Sequence, residues 1–585
     1  FDAREDLPGW QTAAYDESEW PLAVRRETRA WGALAPRPIP QWKDYGLQPY
    51  EQAPPTPWIS AGDTLKLALP YNAQITPYFE IEAPAGLRID LRTDNYRGGS
   101  AYNVRTTYVT RAGRQAFETP SWMNGHAVHY HFPSGVKVLD LRYRETGYAT
   151  DFAGHFSCPD SFLNQLWQKA ARTLYLTMRD TYMDCPDRER AQWWGDVVNE
   201  LGETFYALDR RSDQLTAKAI RELAAWQRAD STLFSPVPAG NWNKELPMQM
   251  LASVGHYGFW TYFWHSGDTA TLAAVYPAVD RYLRVWQTDS SGRVIPRQGG
   301  WTWGDWGDHK DLYLLYQGWY ALALRGYAQM SDLLGYPARA DSAWQSLKTL
   351  QQSVHAFAWN GESYRSPGYA GQTDDRAQAL AVLAGIAPEA VWPQLRETFA
   401  PPHQASPYME KYVLEALYRM GAPEQAVDRM HSRFAAMVAS PLTTLWEGWG
   451  LGTEGYGGGT YNHAWSGGAL TVLSEFAAGI TPLEAGYRRF AVRPQPGDWD
   501  SLRCVVPAPV GMIHFHWSPT QLNLDVPTGS AAKVWLAKPL RELRQDESLV
   551  WTSGQPLPET AGLKWERKPE GDWIWLPPGN WHLNF

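Results

Sequence analysis

Hydrophobic and polar positions alternate along the first part of the chain. Three segments show this period of two, and their apolar residues are Phe79, Ile81 and Ala83; Leu87, Ile89 and Leu91; and Val128, Tyr130 and Phe132. Such alternation is typical of half-buried β-strands, and turn sequences such as Pro84-Ala85-Gly86 separate the segments. The pattern predicts antiparallel β-sandwich structure up to about residue 150.

The period then changes to that of an α-helix. Three apolar stripes have spacings of three and four, and they are Leu163, Trp167, Ala170, Leu174 and Met178; Leu315, Trp319, Leu322, Gly326, Met330 and Leu333; and Met409, Val413, Ala416 and Met420. We expect the second and third helices to end at Gly335 and Gly421, because glycine favours helix C-termini. Helical patterns continue from about residue 160 to 480, which is too long for a simple bundle and favours an (α/α) barrel of helical hairpins.

Strand alternation returns near residue 486. Ile513, Phe515 and Trp517 alternate with polar residues, and so do Leu522, Leu524 and Val526. We therefore predict four parts: an N-terminal β segment (1–50), a β-sandwich (51–155), an (α/α) barrel that carries the chemistry (156–485) and a C-terminal β-sandwich (486–585).

Composition narrows the range of partners. The chain has 585 residues with 44% hydrophobic and 20% charged residues and a net charge of -9, which is typical of a folded protein without a basic nucleic-acid surface. We expect no membrane insertion, because no apolar run reaches the length of a span. The 32 tryptophans favour sugar or small-ligand binding as much as they favour a large aromatic core. The residues leave open the oligomeric state and the cellular compartment.

The densest polar cluster is the segment 184–196, with four carboxylates, two arginines and two tryptophans. Pro186 predicts a loop at a barrel mouth. Arginines can hold carboxylates or sugar hydroxyls, and Trp193 or Trp194 can exclude water from a neighbouring carboxyl, which favours a general acid. The alternative is a solvated charged turn with structural ion pairs.

Three other loops carry candidate residues. Glu447 lies between two tryptophans and precedes a glycine-rich stretch that ends in Asn462-His463. The segment 300–309 combines Trp301, Trp303 and Trp306 with Asp305 and Asp308, which suits a sugar-stacking wall, and a weaker cluster surrounds Trp242. Asp374-Asp375-Arg376 precedes a helical stretch and is interpreted as a structural helix cap.

Other mechanisms find little support. The chain has no GxSxG, P-loop or HExxH motif, and its three cysteines lack zinc-site spacing, so we expect neither a metal nor a cofactor. Two carboxylates on separate loops among tryptophans are the glycosidase arrangement. A non-catalytic carbohydrate-binding protein and a polysaccharide lyase with Tyr461 or His463 as base remain alternatives.

Several motifs of this chain resemble those of a known family and occur in the same order along the sequence. The segment Asp184-Cys185-Pro186-x-Arg188-Glu189-Arg190-x-x-Trp193-x-Gly195-Asp196 resembles the signature of bacterial α-L-rhamnosidases, glycoside hydrolase family 78. Thr443-Thr444-Leu445-Trp446-Glu447, Asn462-His463 and Gly486-Tyr487-Arg488-Arg489-Phe490 are also similar to segments of that family. The likeness covers most of residues 150–585.

The resemblance implies an (α/α)6 barrel of six hairpins flanked by antiparallel β-sandwiches, and inverting hydrolysis of terminal α-L-rhamnosides. By motif matching, Glu189 is the general acid and Glu447 the general base, with Glu454 a rival for the base. The carbohydrate contacts implied by matching motifs or similar loop positions are Asp184, Arg188, Trp193, Asp196, Trp242, Asp305, Trp306 and His463. One departure is Gln192, where many members carry glycine, so the sugar subsite near it is expected to differ in shape.

Overall fold

The computed structural model describes residues 1–585 apart from residue 8 and residues 26–33, 96–103, 239–242, 451–458, 555–562 and 569–570. The chain divides into two compact units, Phe1–Tyr148 and Ala149–Phe585. The four domain bounds given above remain predictions.

The first unit is built on one antiparallel sheet. Its strands are β1 (Lys43–Pro49), β2 (Trp58–Ile59), β3 (Thr64–Ala83), β4 (Arg88–Thr93), β5 (Arg105–Val109), β6 (Gly113–Glu118), β7 (Met123–His131) and β8 (Lys137–Gly147). The main order is β1-β8-β3-β7-β4-β5, with β2 paired to β8 and β6 paired to β3. The predicted alternation is confirmed, because Phe79, Ile81, Ile89, Leu91 and Tyr130 all lie in the buried core.

The second unit contains the helices and two further sheets. The helices are α1 (Ser161–Leu176), α2 (Trp194–Ala207), α3 (Ser212–Ala225), α4 (Pro247–Val254), α5 (Thr261–Ser266), α6 (Thr269–Leu283), α7 (Leu312–Leu333), α8 (Pro337–Ala358), α9 (Asp375–Leu383), α10 (Trp392–Glu397), α11 (Pro407–Arg419), α12 (Pro423–Ala439) and α13 (Gly468–Val472).

The predicted helix boundaries have local causes. The Asp160 carboxylate accepts the backbone N–H groups of Phe162 and Leu163 and so caps α1. Gly335 and Gly421, just past α7 and α11, have φ of +77° and +68°, a left-handed backbone that glycine adopts without strain. The first predicted stripe extends too far, since Met178 lies beyond the end of α1.

The strands of the second unit form two sheets, and the first of these strands precedes the helices. They are β9 (His155–Ser157), β10 (Ile480–Pro482), β11 (Arg489–Val492), β12 (Leu502–Ala508), β13 (Gly511–Ser518), β14 (Gln521–Val526), β15 (Ala531–Leu536), β16 (Glu542–Gln545), β17 (Ser548–Thr552), β18 (Lys564–Lys568), β19 (Gly571–Leu576) and β20 (Gly579–Asn584). One sheet has the order β17-β16-β20-β14-β13-β12-β9 and the other β10-β11-β15-β19-β18. The predicted strands around Phe515 and Leu524 are confirmed, with these two residues paired across β13 and β14.

Three connections between helices carry most of the candidate residues. They join α1 to α2 (177–193), α6 to α7 (284–311) and α12 to α13 (440–467). Of the helices in the described parts of the chain, none combines the length and apolar character that crossing a membrane requires.

Candidate active site

The three connections meet, together with the first turns of α2 and α4, around a cavity of about 730 Å³. Its polar walls include Asp184, Arg188, Glu189, Asp196, Glu447 and His463. Its aromatic walls are Trp193, Trp301, Trp303, Trp306 and Trp465. Most of the candidate residues therefore lie on one concave surface, although they come from segments more than 250 residues apart.

The connection before α2 is a tight loop closed by Asp184. The Asp184 N–H donates to the carbonyl of Ala191 (2.9 Å), and its carboxylate accepts the Ala191 N–H (3.0 Å). Within the loop, Arg190 has a left-handed φ of 54°, and its Nε donates to the Pro186 carbonyl (2.8 Å). Since residues other than glycine rarely adopt this conformation, the loop stores backbone strain, as is common at functional sites.

Glu189 is the partly exposed carboxylate of this loop. The Trp193 indole N–H donates to its Oε2 (2.7 Å), and the Arg188 guanidinium donates to its Oε1 (2.7 Å). The side chain is 34% exposed and lines the cavity. Both oxygens are therefore fixed in direction while the carboxyl group stays open to a ligand.

Glu447 is a buried carboxylate on the connection from α12 to α13. The N–H and the hydroxyl of Thr460 both donate to its Oε2, at 3.0 and 3.3 Å. The Glu447 N–H donates to the Thr460 carbonyl, and the indole N–H of Trp465 donates to the Glu447 carbonyl (both 3.0 Å). Glu447 is therefore held from both its backbone and its side chain, with only 5% of the residue exposed.

His463 lies between carboxylates. Its Nε2 is 2.9 Å from Asp196 Oδ1, and its Nδ1 is 3.0 Å from Thr460 Oγ1 and 3.9 Å from Glu447 Oε2. Burial by itself would lower the pKa of His463, but the bond to Asp196 and the charges of Glu447 and Asp184 raise that pKa to about 9. The imidazole is therefore a cation at neutral pH.

Burial and neighbouring charges also shift the pKa values of the other charged groups near His463. Burial, then the charge of Glu189, raises the pKa of Asp184 well above its ordinary range. Burial also raises the pKa of Asp196, against the opposing effect of His463. Burial lowers the pKa of Arg188, but the charges of Glu189 and Glu447 outweigh it and raise that pKa overall. The cavity therefore holds cations and carboxylates whose charges are set by one another.

Comparison with models of known protein families shows the family to which this chain belongs. A model described as the bacterial α-L-rhamnosidase six-hairpin glycosidase domain matches residues 151–475, more than half of the chain. The chain belongs to the bacterial α-L-rhamnosidase family. A second model of the family, its C-terminal domain, matches residues 479–549, and the resemblance to glycoside hydrolase family 78 is thereby confirmed.

Two curated relatives carry the name α-L-rhamnosidase. The one from Streptomyces avermitilis is 23% identical over 583 residues, covering 92% of this chain and 54% of the relative. The one from Alteromonas sp. (strain LOR) is 21% identical over 575 residues, covering 90% of this chain and 60% of the relative. The chain thus spans about half to three fifths of the length of the curated relatives that it matches.

Solved structures agree on the fold. The α-L-rhamnosidase from Dictyoglumus thermophilum superposes with a TM-score of 0.82 at 17% identity, covering all of this chain and 68% of that chain. The Streptomyces avermitilis enzyme complexed with L-rhamnose gives 0.81 at 20% identity, covering all of this chain and 57% of that one. The predicted barrel of six helical hairpins is confirmed, as is the C-terminal β structure, whose strands pair antiparallel except for the parallel pair β11 and β15.

Not every predicted site residue of this rhamnosidase-family chain reaches the cavity wall. Asp305 is completely buried behind it, where it accepts from Arg376 Nη1 (3.1 Å) and from the N–H of Ser406 (3.0 Å). Arg376 Nη1 also donates to the carbonyl of Trp306 (2.9 Å), so Asp305 supports the tryptophan wall from behind. Asp374 accepts the Arg376 N–H at the start of α9, which confirms the predicted helix cap. Trp242 and Glu454 lie outside the described residues.

Gln192, the departure from the usual family segment, also points away from the cavity. Its amide donates to the Val237 carbonyl (2.6 Å) and accepts the Tyr182 N–H (3.2 Å). This side chain therefore joins two neighbouring segments of the fold, and its effect on the sugar subsite stays a prediction.

Sequence reasoning gave no role to three residues that help to build the site. Thr460 holds Glu447, Trp465 donates to the backbone of Glu447, and Gln249 of α4 lines the cavity. Gln249 lies in a helix of mostly apolar residues, and no local pattern marks it. Gly195 permits the close approach of this side chain, since a Cβ atom there would lie 2.7 Å from Gln249 Cδ.

Three residues at this site could in principle bind a metal ion, but each of them already makes hydrogen bonds. Asp184, Cys185 and His463 place one potential ligand atom each within 4.8 Å of one another. However, Cys185 Sγ donates to Asp184 Oδ2 (3.0 Å), and burial raises the pKa of this thiol well above its ordinary value. Both nitrogens of His463 already have partners. Asp184 and Cys185 are therefore joined by a hydrogen bond, and His463 is bonded to Asp196 and Thr460 instead.

Proposed function

We propose that the protein is an inverting glycoside hydrolase that releases terminal α-L-rhamnose from rhamnosides. The observation that carries the proposal is that Glu189 and Glu447, from two separate connections, line one tryptophan-walled cavity. Family membership supports rhamnose as the substrate sugar, since the two curated relatives are named α-L-rhamnosidase. The cavity gives the chemistry, because glycosidases use a pair of carboxyl groups on either side of the scissile bond.

Glu189 is the proposed general acid. In its protonated form it transfers a proton to the glycosidic oxygen as the bond to the sugar breaks. The Trp193 indole at 2.7 Å fixes the direction of the carboxyl group, and after proton transfer it stabilises the carboxylate that remains, as does Arg188. Partial exposure suits this role, since the acid must reach a leaving group that extends toward solvent.

Glu447 is the proposed general base. Its carboxylate removes a proton from a water molecule that attacks the anomeric carbon from the opposite face. The two bonds from Thr460 fix the position of this carboxylate, and the imidazolium of His463 lies 3.9 Å from its Oε2. Inversion also requires room for that water, which means carboxyl groups about 6.5–9.5 Å apart.

The remaining cavity residues are proposed to bind the sugar. Asp184, Asp196 and Arg188 can hydrogen-bond ring hydroxyls, and the His463 cation between the acids limits their repulsion. Tryptophan rings stack on the apolar faces of sugars and suit the methyl group of rhamnose, which supports contacts from Trp193 and Trp306. The contact from Trp242 stays part of the proposal.

The geometry disfavours a lyase. A lyase needs a base, but His463 is held in its protonated form by Asp196, and both of its ring nitrogens are engaged. A non-catalytic binding protein would need the tryptophans but not two carboxylates held so differently, one partly exposed and one buried. Hydrolysis is therefore the function that the site supports best.

The test is hydrolysis of an aryl α-L-rhamnopyranoside, monitored by proton NMR from the first turnover. Appearance of β-rhamnose before α-rhamnose is the expected result. If α-rhamnose appears first, the reaction retains configuration, and Glu447 is not a general base for direct water attack. Aryl glycosides of other sugars are measured in parallel, and a preference for one of them would move the proposal to that sugar.

A further inference from the structure

A second cavity lies farther along α2. Its volume is about 160 Å³, and it shares no lining residue with the tryptophan-walled cavity. On α2, Asp196 lines the first cavity and Gly202 the second, which places them about 9 Å apart along the helix axis. The side chains that matter here are Lys411, Glu415 and Arg419 of α11, and Thr471 and Glu475 of the segment from α13 onward.

Lys411 is a buried lysine to which the described residues supply no hydrogen-bond acceptor. The residue is 4% exposed, and among the described residues no carbonyl or carboxylate lies within hydrogen-bonding or ion-pair distance of its Nζ. The Nζ instead lies over the rings of Tyr257 and Tyr412, 5.2 and 5.4 Å from their centroids. Aromatic faces compensate only part of the cost of burying a charge.

The same fold satisfies another buried ammonium completely. Lys169 is 5% exposed, and its Nζ donates to the carbonyls of Met437 (2.8 Å), Val438 (3.1 Å) and Ser440 (2.8 Å). Lys169 thus has three acceptors supplied by the chain, whereas Lys411 faces a cavity. This contrast indicates that the acceptor for Lys411 comes from outside the chain.

Other groups at the cavity also lack partners within the described chain. The hydroxyl of Thr471 has no hydrogen bond, and none involves the carboxyl group of Glu475. Gly202 keeps the space in front of these groups open, since a Cβ atom there would lie 3.2 Å from Lys411 Nζ and 3.4 Å from Thr471 Oγ1. Gly202, Lys411 and Thr471 therefore surround one point of the cavity.

Burial lowers the pKa of Lys411, and the charges of Glu415, Glu475 and Glu203 act in the opposite direction. Glu415 is paired with Arg419, whose Nε lies 2.8 Å from Glu415 Oε1, and it also accepts from Tyr257 (2.8 Å). Burial raises the pKa of Glu475, with a further contribution from Glu415, and burial raises that of the nearby Glu203. Burial also lowers the pKa of His256 and His265 to about 3, so both are neutral.

We propose that this second cavity binds a small oxyanion, of carboxylate or phosphate chemistry, on the ammonium of Lys411 and the hydroxyl of Thr471. A cavity of about 150 Å³ accommodates a molecule the size of benzene, so 160 Å³ fits an anion of about four to six non-hydrogen atoms. A monosaccharide is too large. Glu475 lines the cavity and its pKa is raised to about 7, so at pH 6 its carboxyl group is mostly protonated and offers a hydrogen-bond donor rather than repulsion. The site does not depend on the proposed hydrolase activity.

The test is thermal unfolding of the whole protein at pH 6 in acetate, in inorganic phosphate, and in chloride of equal ionic strength. At about 50 mM, acetate or phosphate is expected to raise Tm by about 1–3 °C relative to chloride. Lys411→Met should abolish this rise. Lys169→Met is the matched control: it removes an equally buried ammonium far from the cavity, so it should lower Tm but keep the oxyanion-dependent rise.

A second variant keeps the charge and removes the space. Gly202→Ala places a methyl group against Lys411 Nζ on a helix that tolerates alanine, so the fold is retained while oxyanion binding should weaken at least about 10-fold by calorimetric titration. A rise with acetate alone or with phosphate alone identifies the anion and supports the site. Equal Tm values in all three salts, or a rise that survives both Lys411→Met and Gly202→Ala, would overturn it.

Discussion

The Nε2 atom of His463 lies 2.9 Å from Asp196 Oδ1 and ties the first turn of α2 to the connection that carries Glu447. On its other side the ring contacts Thr460, and Thr460 donates to Glu447. One chain of hydrogen bonds therefore runs from a helix start to the proposed base. It also places a positive charge between acids that would otherwise repel one another, so the charge of His463 should matter for both stability and activity.

The stability of the protein should depend on pH through His463. Folding raises the pKa of this imidazole from an ordinary value of 6.5 to about 9. A raised pKa contributes stability that is complete below pH 6.5 and is lost as the pH rises through 9. The full effect of such a shift is about 3 kcal/mol. Urea unfolding at pH 6, 7.5 and 9.5 measures it, and His463→Gln should flatten this part of the profile. An identical pH dependence in wild type and variant would contradict the assignment.

The two proposed catalytic carboxyl groups should respond differently to the leaving group. Glu189→Gln and Glu447→Gln should each lower kcat by several orders of magnitude on an alkyl rhamnoside, because each removes a proton-transfer step. On a dinitrophenyl rhamnoside the leaving group needs no proton, so Glu189→Gln should regain much of its rate while Glu447→Gln should not. Steady-state kinetics on the two substrates make the comparison.

Glu389→Gln is the control for these two variants, since it makes the same chemical change at an exposed carboxylate away from the cavity. It should leave kcat unchanged on both substrates. Near-wild-type activity of Glu189→Gln on the alkyl substrate would remove Glu189 from the mechanism. If kcat of both variants recovered equally on the dinitrophenyl rhamnoside, Glu189 and Glu447 could not be divided into an acid and a base.

Trp193 should act on the reaction through one hydrogen bond. Trp193→Phe keeps an aromatic ring in the wall but removes the N–H that lies 2.7 Å from Glu189 Oε2. A lost hydrogen bond to a charged group costs about 1.5–3 kcal/mol, so we expect kcat to fall about 10- to 100-fold with a smaller change in KM. Trp344→Phe is matched, because Trp344 donates to Asp332 (2.9 Å) on the surface. A loss confined to KM would instead indicate that Trp193 only stacks on the sugar.

The sequence predicted the helices and strands better than it predicted the residues that hold the cavity side chains in place. Alternation and helical stripes are local properties, so the strand around Phe79 and the helices around Leu315 and Met409 were found from neighbouring residues alone. The motif segment around Glu189 and the segment around Glu447 each carry their own composition signal, and the structure brings both to one cavity.

The residues that hold those groups gave no such signal, because their roles depend on distant partners. Thr460 matters through Glu447 on a neighbouring turn, and Asp305 through Arg376, which follows it by 71 residues. Asp305 and Trp306 are adjacent in a tryptophan-rich loop, and composition alone treats them alike. Only the fold shows that Trp306 faces the cavity while Asp305 is turned into the protein.

Arg376 should be essential to the tryptophan wall without contacting the sugar. Its guanidinium is completely buried between Asp305 and Asp374 and also donates to the Trp306 carbonyl. Arg376→Met leaves two buried carboxylates unpaired, which should lower the free energy of unfolding by about 3–5 kcal/mol.

Arg339→Met is the control: Arg339 is 41% exposed and lies 3.5 Å from Asp280, so its loss should cost less than about 1 kcal/mol. Urea unfolding measures both, and the kinetics of the folded fraction should show a raised KM for Arg376→Met alone. Equal losses of stability in the two variants would show that the buried cluster does not hold the wall.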